Sequence, residues 1–368
     1  MVLIPNSYIR KDSNLADMKK GVLLVNLGSP DSPSVKDVRT YLTQFLNDPL
    51  VIDINPIARF FLVNFIIVPF RASKSAKLYE QIWTKEGSPL ITHSEKQKEL
   101  LKKALNASPF SPSQGGHEYI VEVGMRYQNP SIESAFKKLV DRQVESIVAL
   151  PLYPHWASSS TRSSIDEINR VAKKTGFTNL KIIDKFYDNG DYLDALVSVA
   201  EKYFPTPLSL GRGAEVGWDY FVFSYHGLPE RQITKIYPNH CQINDSCCAG
   251  ISEKNKFCYR AACYYTTREL VKRLGIPEGK YITSFQSRLD DKWLKPYSDK
   301  VVEQLAKEGK KKVLVFSPAF VSDCLETIYE IGTEYKHIFK QHGGEELQLV
   351  ESLNEDPKWI EAIKKMVI

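Results

Sequence analysis

The chain has 368 residues, of which 43% are hydrophobic and 25% charged, the balance of a globular protein with room for two ordinary domains. Its net charge of +5 is spread along the sequence, and the one dense basic run, Lys310–Lys312, reads as a solvated face, so nucleic-acid binding is set aside. Met1–Asn6 is too short for the apolar core of a secretory signal, so a cytoplasmic, reducing setting is expected, in which the six cysteines are free thiols or metal ligands.

In chain order, β-branched apolar runs predict strands at Val22–Leu27, Tyr119–Val123, Ser146–Leu150, Leu180–Ile183, Tyr220–Tyr225, Lys280–Phe285, Lys312–Phe316 and Leu347–Val350. Helical patterns fall between them at Ser34–Leu46, Ser94–Leu105, Ile132–Arg142, Ser163–Lys174, Tyr192–Tyr203, Thr266–Leu274, Ser298–Glu308 and Leu325–Phe339. This alternation predicts α/β architecture with parallel sheets and right-handed crossovers. One apolar stretch, Ile57–Phe70, interrupts the pattern. Its 14 residues fall short of the roughly 20 that a membrane span needs. It is expected to be either a buried helix or an apolar lip at a pocket mouth or membrane surface, with Arg59, Arg71, Lys74 and Lys77 near lipid headgroups.

The chain also repeats itself. Leu24-Val-Asn-Leu-Gly-Ser-Pro30 matches Phe223-Ser-Tyr-His-Gly-Leu-Pro229, and Ala149-Leu-Pro-Leu-Tyr-Pro154 matches Phe316-Ser-Pro-Ala-Phe320. A duplicated α/β domain explains both pairs. The expected division is 20–188, then 189–346, then a 347–368 segment packing back on the body, with Pro205–Gly217 as the linker. Ligands of open parallel sheets bind beyond the carboxyl ends of the strands, so two such domains face a shared cleft.

Three groups could carry chemistry there. His226 directly follows an apolar strand and precedes Gly227; it is either a structural imidazole or a base or metal ligand. In Ser322-Asp-Cys-Leu-Glu-Thr-Ile-Tyr-Glu330, Asp323 and Glu326 have capping-box spacing, while Glu326, Glu330 and Glu334 make an acidic stripe, solvated or conducting cations or protons. Five cysteines, Cys241, Cys247, Cys248, Cys258 and Cys263, fall within 23 residues. In a reducing setting such a cluster suits soft metals, zinc or iron–sulfur, although its spacing matches neither a paired CxxC zinc ribbon nor the plant ferredoxin pattern.

The segments Val22-Leu-Leu-Val-Asn-Leu-Gly-Ser-Pro30, Ile82-Trp-Thr-Lys-Glu-Gly-Ser-Pro-Leu90, Gly124-Met-Arg-Tyr127, Leu150-Pro-Leu-Tyr-Pro154, Ser224-Tyr-His-Gly-Leu-Pro229 and Ser322-Asp-Cys-Leu-Glu-Thr327 resemble ferrochelatases, in the family's order. The resemblance implies two flavodoxin-like lobes around a porphyrin cleft, and insertion of Fe2+ into protoporphyrin IX to give protohaem. A coproporphyrin or other tetrapyrrole chelatase is the near alternative, and an iron–sulfur sensor or binding protein the distant one. Carried over by motif, His226 and Glu326 are the implied catalytic and iron-holding residues. Leu27, Arg71, Tyr79, Ser88, Arg126, Tyr127, Trp293 and Phe320 are implied to bind the porphyrin, and Asp323 and Glu330 to form a proton or metal path. Residues 57–71 correspond to the family's apolar lip, implying peripheral membrane contact. The chain departs from the family in two places. Cys324 stands where many members have His. The cysteine segment is an insertion after His226, like that of bacterial members with an internal cluster, which implies [2Fe-2S] held by four of the five thiols. Oligomeric state is not legible.

Overall fold

Among the described residues, eight strands form where β-branched, buried residues run between turn signals: β1 (Lys19–Asn26), β2 (Glu118–Met125), β3 (Ser146–Pro151), β4 (Leu180–Ile182), β5 (Tyr220–His226), β6 (Tyr281–Gln286), β7 (Lys312–Phe316) and β8 (Glu346–Leu349). They make two four-stranded sheets of order β2-β1-β3-β4 and β6-β5-β7-β8, parallel throughout. The two orders are the same, as a duplicated domain requires, and β1 and β5 hold equivalent central places. The computed structural model describes residues 19–107, 117–204, 217–238 and 240–368. The expected linker Pro205–Gly217 lies, apart from Gly217, outside the described residues, as does Met1–Asn6.

The helices are α1 (Val35–Leu46), α2 (Pro56–Phe61), α3 (Val68–Ile82), α4 (Pro89–Asn106), α5 (Ile132–Asp141), α6 (Ser163–Thr175), α7 (Gly190–Glu201), α8 (Glu230–Ile236), α9 (Tyr259–Leu274), α10 (Ser298–Lys307), α11 (Lys336–Gln341) and α12 (Pro357–Val367). Local chemistry starts and stops them. Ser34 caps α1 by accepting from the Asp37 N–H, Asp356 caps α12 with Pro357 at its first position, and α6 ends on left-handed Gly176. A π-helical stretch, Leu62–Ile67, joins α2 to α3, so Pro56–Ile82 is one 27-residue helical run. By length and composition that run is long and apolar enough to cross a membrane, unlike the 14 residues read from the sequence. Its carboxyl half, however, buries Val68, Ala72, Ala76, Tyr79 and Ile82 against α1 and belongs to the first lobe's core.

The lobes share packing. The largest core cluster draws on β1, β2 and α4 of the first lobe, on α7 just past the expected division at residue 188, and on β5, α9 and β7 of the second. Helix α12 seals it: Trp359 is fully buried, its ring 5.6 Å from Phe186 and 6.1 Å from Tyr192. Polar ties fix the relation further. Gln97 Nε2 donates to Ser322 Oγ (3.0 Å) and Asn354 O (2.8 Å), and Tyr192 donates to Pro318 O (2.6 Å). Strand β8 closes the second sheet at Leu349, so the segment that packs back across the lobes is α12 and the turn before it.

Candidate active site

The two sequence repeats mark the two sheet ends where the chain turns tightly. After β1, Gly28 sits at φ +105°, and a Cβ there would lie 2.0 Å from Tyr127 O. After β5, a Cβ on Gly227 would lie 2.6 Å from Gln286 O. Only glycine lets these turns pass so close to the neighbouring strand. The Gly227 N–H uses the approach by donating to Gln286 O at 2.7 Å. His226 is thus delivered at the carboxyl edge of β5, half-buried, with its backbone locked.

A cavity of about 480 Å³ opens at the carboxyl edges of both sheets, a size ordinary for a small-molecule site. His226, Glu326, Glu330, Leu27, Arg71, Tyr79, Ser88, Trp293 and Phe320 all line it. The loop carrying Trp293 is pinned to the turn after His226 by Leu294 N–H to Leu228 O (2.9 Å) and Glu230 N–H to Lys292 O (2.9 Å). The Phe320 ring stands 6.3 Å from the His226 ring, nearly perpendicular to it. Three residues expected there do not line the cavity. Arg126 and Tyr127 instead form a node behind its wall. One Asp48 oxygen accepts from Arg126 (2.8 Å), Tyr127 (2.9 Å) and Ser163 (2.6 Å). A buried carboxylate needs that many donors, and it takes these side chains away from the cavity. Asp323 is likewise engaged, accepting from Thr327 (2.8 Å) and Asn354 (2.7 Å).

The acidic stripe is π-helical, over Glu326–Tyr335. The wider turn has a direct consequence: residues five apart align, and Tyr335 donates to Glu330 at 2.8 Å. Glu330 also accepts from Ser287 N–H (2.8 Å), Gln286 Nε2 (3.1 Å) and the Ser287 hydroxyl. Four neutral donors hold its carboxyl group in place at the end of β6. Glu326 is placed differently, beside the buried Cys324 thiol, which burial and then the Glu326 charge push up. Burial, and after it the Glu326 charge, push the Tyr79 hydroxyl up; for Tyr41 burial, Tyr79 and Glu326 act in that order. At the outer end, desolvation and then the Glu330 charge hold Glu334 above the usual carboxylate range.

The sequence reading missed the hub. Gln286, 1% exposed, accepts from Ser224 (2.8 Å), donates to Glu326 O (3.1 Å) and Glu330, and its own carbonyl takes the Gly227 N–H. It sets the register between the His226 strand and the acidic helix. Like His226, it is a polar residue ending an apolar strand, a signal present in the sequence.

His155, after β3, was also missed. It is buried beside the cavity, with Nε2 3.0 Å from Thr266 Oγ1 and its ring among Tyr187, Tyr225 and Tyr259. Burial pushes its imidazole down to about 3. The unfolded chain protonates this ring below about pH 6.5 and the folded chain does not until far lower, so stability is lost as pH falls through that window. Between pH 7 and pH 5 the loss is about 2 kcal/mol. A His155→Gln variant is expected to lack this component, read as a smaller drop in urea midpoint between the two pH values.

The five clustered thiols divide. Cys247 and Cys248 sulfurs are 3.8 Å apart, Cys248 contacts Cys258, and Cys241 contacts Cys247. Cys263 is buried one helical turn along α9, in contact with the Tyr259 hydroxyl. Among the described residues, no three His, Cys, Asp or Glu side chains are drawn together as a ready metal site. The thiols differ in their surroundings: contact with Cys258 and burial push the Cys248 thiol up, against the opposing pull of the buried Arg260 guanidinium, whose Nε has no partner among the described residues, while contact with Cys248 holds the Cys258 thiol down.

Paired parallel sheets of matching order thus carry one cavity at their common carboxyl edge, lined by an imidazole and an acidic helix. A search of solved structures agrees on the fold: "SirB from Bacillus subtilis with Fe3+" matches with a TM-score of 0.50 at 13% identity, covering 95% of this chain and 94% of that one. The family model named Ferrochelatase matches residues 19–368. Ferrochelatases of Coxiella burnetii (strain CbuK_Q154) and Pseudomonas fluorescens (strain Pf0-1) are 42% and 43% identical, over 95% and 93% of this chain and 93% and 95% of theirs. The chain belongs to the ferrochelatase family.

Proposed function

We propose that the cavity binds a free-base porphyrin, protoporphyrin IX, and that the protein inserts Fe2+ into it, releasing haem and two protons in haem synthesis. The observation that carries this is the convergence of His226 and Glu326 on one apolar cavity. The reaction must remove two pyrrole protons and deliver one ion. A neutral imidazole suits proton acceptance or iron holding, and an unsaturated carboxylate suits the other task. Leu27, Trp293, Phe320 and Tyr79 supply wall area to grip and bend the macrocycle, while Arg71 and Ser88 meet its carboxylates. Glu330 keeps the Gln286–Ser287 corner in place and adds fixed negative charge that favours a cation nearby. An anaerobic assay offering protoporphyrin IX and coproporphyrin separately tests the reading. Turnover with protoporphyrin supports it, turnover with coproporphyrin alone changes the substrate, and turnover with neither contradicts it.

The exposed apolar face of Pro56–Phe70 is read as a peripheral membrane contact on the cytoplasmic side. Ile57, Phe65 and Phe70 are 69%, 62% and 75% exposed, beside Arg59 and Arg71. Replacing Phe65 and Phe70 with Glu is expected to weaken co-sedimentation with anionic lipid vesicles by about tenfold or more. Unchanged binding contradicts the contact.

The cysteine loop is read as a [2Fe-2S] site held by Cys241, Cys247, Cys248 and Cys258, which touch in sequence, with Arg260 offsetting their charge. When bound, such a cluster supplies rigid cross-linking of the loop and one-electron chemistry. Purified protein is expected to be red-brown, with about two iron and two sulfide per chain. A Cys263→Ser variant should keep both and Cys258→Ser lose both. Colourless protein with one zinc contradicts the assignment.

A further inference from the structure

We infer that Tyr259 is a positioning residue for His226, and that through it the cysteine loop sets the geometry of the porphyrin cavity. The coupling half of this rests on the four-thiol site proposed above; the positioning half stands on hydrogen bonding alone.

Tyr259 is the first residue of α9 and is 4% exposed. Its hydroxyl donates to the His226 carbonyl at 2.8 Å and it lines the cavity. That carbonyl lies at the last residue of β5, where the ladder to β6 ends. The adjoining Gly227 N–H is held by Gln286 O, so the peptide carrying the imidazole is pinned from two sides: from β6 through Gln286 and from α9 through Tyr259. Removing either pin leaves a buried polar group without a partner and frees the strand end to shift. A shift of one ångström is enough to spoil a reacting geometry.

The residue immediately before Tyr259 is Cys258, which caps α9 and contacts Cys248. Phe257 N–H donates to the Tyr237 hydroxyl (3.1 Å) and Cys258 N–H to Asn255 O (2.8 Å), so the approach to α9 is itself braced by the loop. One peptide bond therefore separates a proposed cluster thiolate from the side chain that holds His226. Thiolate bonds to a cluster fix the start of α9. Without them, that first turn is held by the contacts just named, by Arg260 donating to Asn244 O and Asp245 Oδ1 (2.8 Å each) in the same loop, and by Tyr259 packing on His155, so Tyr259 shifts as the loop shifts.

The test uses full-length protein and the variants Tyr259→Phe, Cys258→Ser and the double variant. Three quantities are read: iron and sulfide content, hydrogen exchange at the Gly227 amide, and the separate kcat and KM of anaerobic iron insertion. Tyr259→Phe is expected to keep full iron and sulfide, to exchange faster at Gly227, and to lose about tenfold in kcat with little change in porphyrin KM. Cys258→Ser should lose the cluster and show the same exchange and kinetic changes. The double variant should fall no further than Cys258→Ser alone, since both act through one contact. Wild-type kcat and exchange in Tyr259→Phe overturn the positioning role. A double variant whose loss is the product of the single losses overturns the coupling. Wild-type protein that binds no metal overturns the cluster reading and the coupling with it, while the Tyr259→Phe arm still decides the positioning role.

Discussion

Replacing His226 with Ala is expected to lower kcat for iron insertion by on the order of 10³-fold, the range of a lost acid–base group. Porphyrin binding should persist, because the walls formed by Leu27, Trp293 and Phe320 are untouched. The backbone at this position is fixed by Tyr259 and Gln286, not by the imidazole, so the variant should fold and melt close to the parent. The observation to make is a kcat loss without a matching rise in KM, together with an unchanged circular dichroism melt. Full turnover in a folded His226→Ala protein would remove the imidazole from the mechanism.

The second large effect is at Glu326. Glu326→Gln keeps the shape and removes the charge that takes a proton or holds the ion, and a kcat loss on the order of 10²-fold is expected. Glu330→Gln provides the contrast. Four donors converge on the Glu330 carboxylate, and an amide NH₂ would face some of them donor to donor. That variant should be destabilised by about 1–3 kcal/mol. Glu326→Gln should melt like the parent. A reversed pattern, with Glu326→Gln unstable and Glu330→Gln catalytically dead but stable, would exchange the roles assigned to the two carboxylates.

Much of the fold was legible in the sequence. Each strand was found to within three residues at either end, because buried β-branched runs such as Val313–Phe316 lie between helices and turns that cannot join a ladder. The repeat at Gly28 and Gly227 was readable because a tight approach between adjacent strands tolerates no Cβ. The helical run Pro56–Ile82 was read only in part, since its carboxyl half is apolar on one face alone. Helices α8 and α12 were not drawn. α8 is short, and α12 is defined by the lobes it covers as much as by its own pattern.

The site was legible where polar residues end apolar strands, as at His226, and obscure where function depends on pairing across the sequence. Arg126 and Tyr127 looked like cavity residues by motif. What moves them aside is Asp48, 78 positions from Arg126, and no local pattern shows that contact. The spacing of Glu326, Glu330 and Glu334 suggested an even stripe. The π-helical turn, which side-chain spacing does not reveal, makes them unlike: one saturated by Tyr335 and Ser287, one beside Cys324, one at the outer end. In the cysteine segment, the count suggested a metal, while which thiols touch depends on how the loop before α9 folds back on itself.

The most direct measurement is a crystal structure of the protein with free-base protoporphyrin IX bound. The macrocycle should lie in the cavity between the lobes, its ring nitrogens within reach of both the His226 imidazole and the Glu326 carboxylate, and its carboxylates toward Arg71 and Ser88. A porphyrin seated elsewhere, or one reached by neither side chain, would contradict the assignment of this cavity as the place where iron enters the ring.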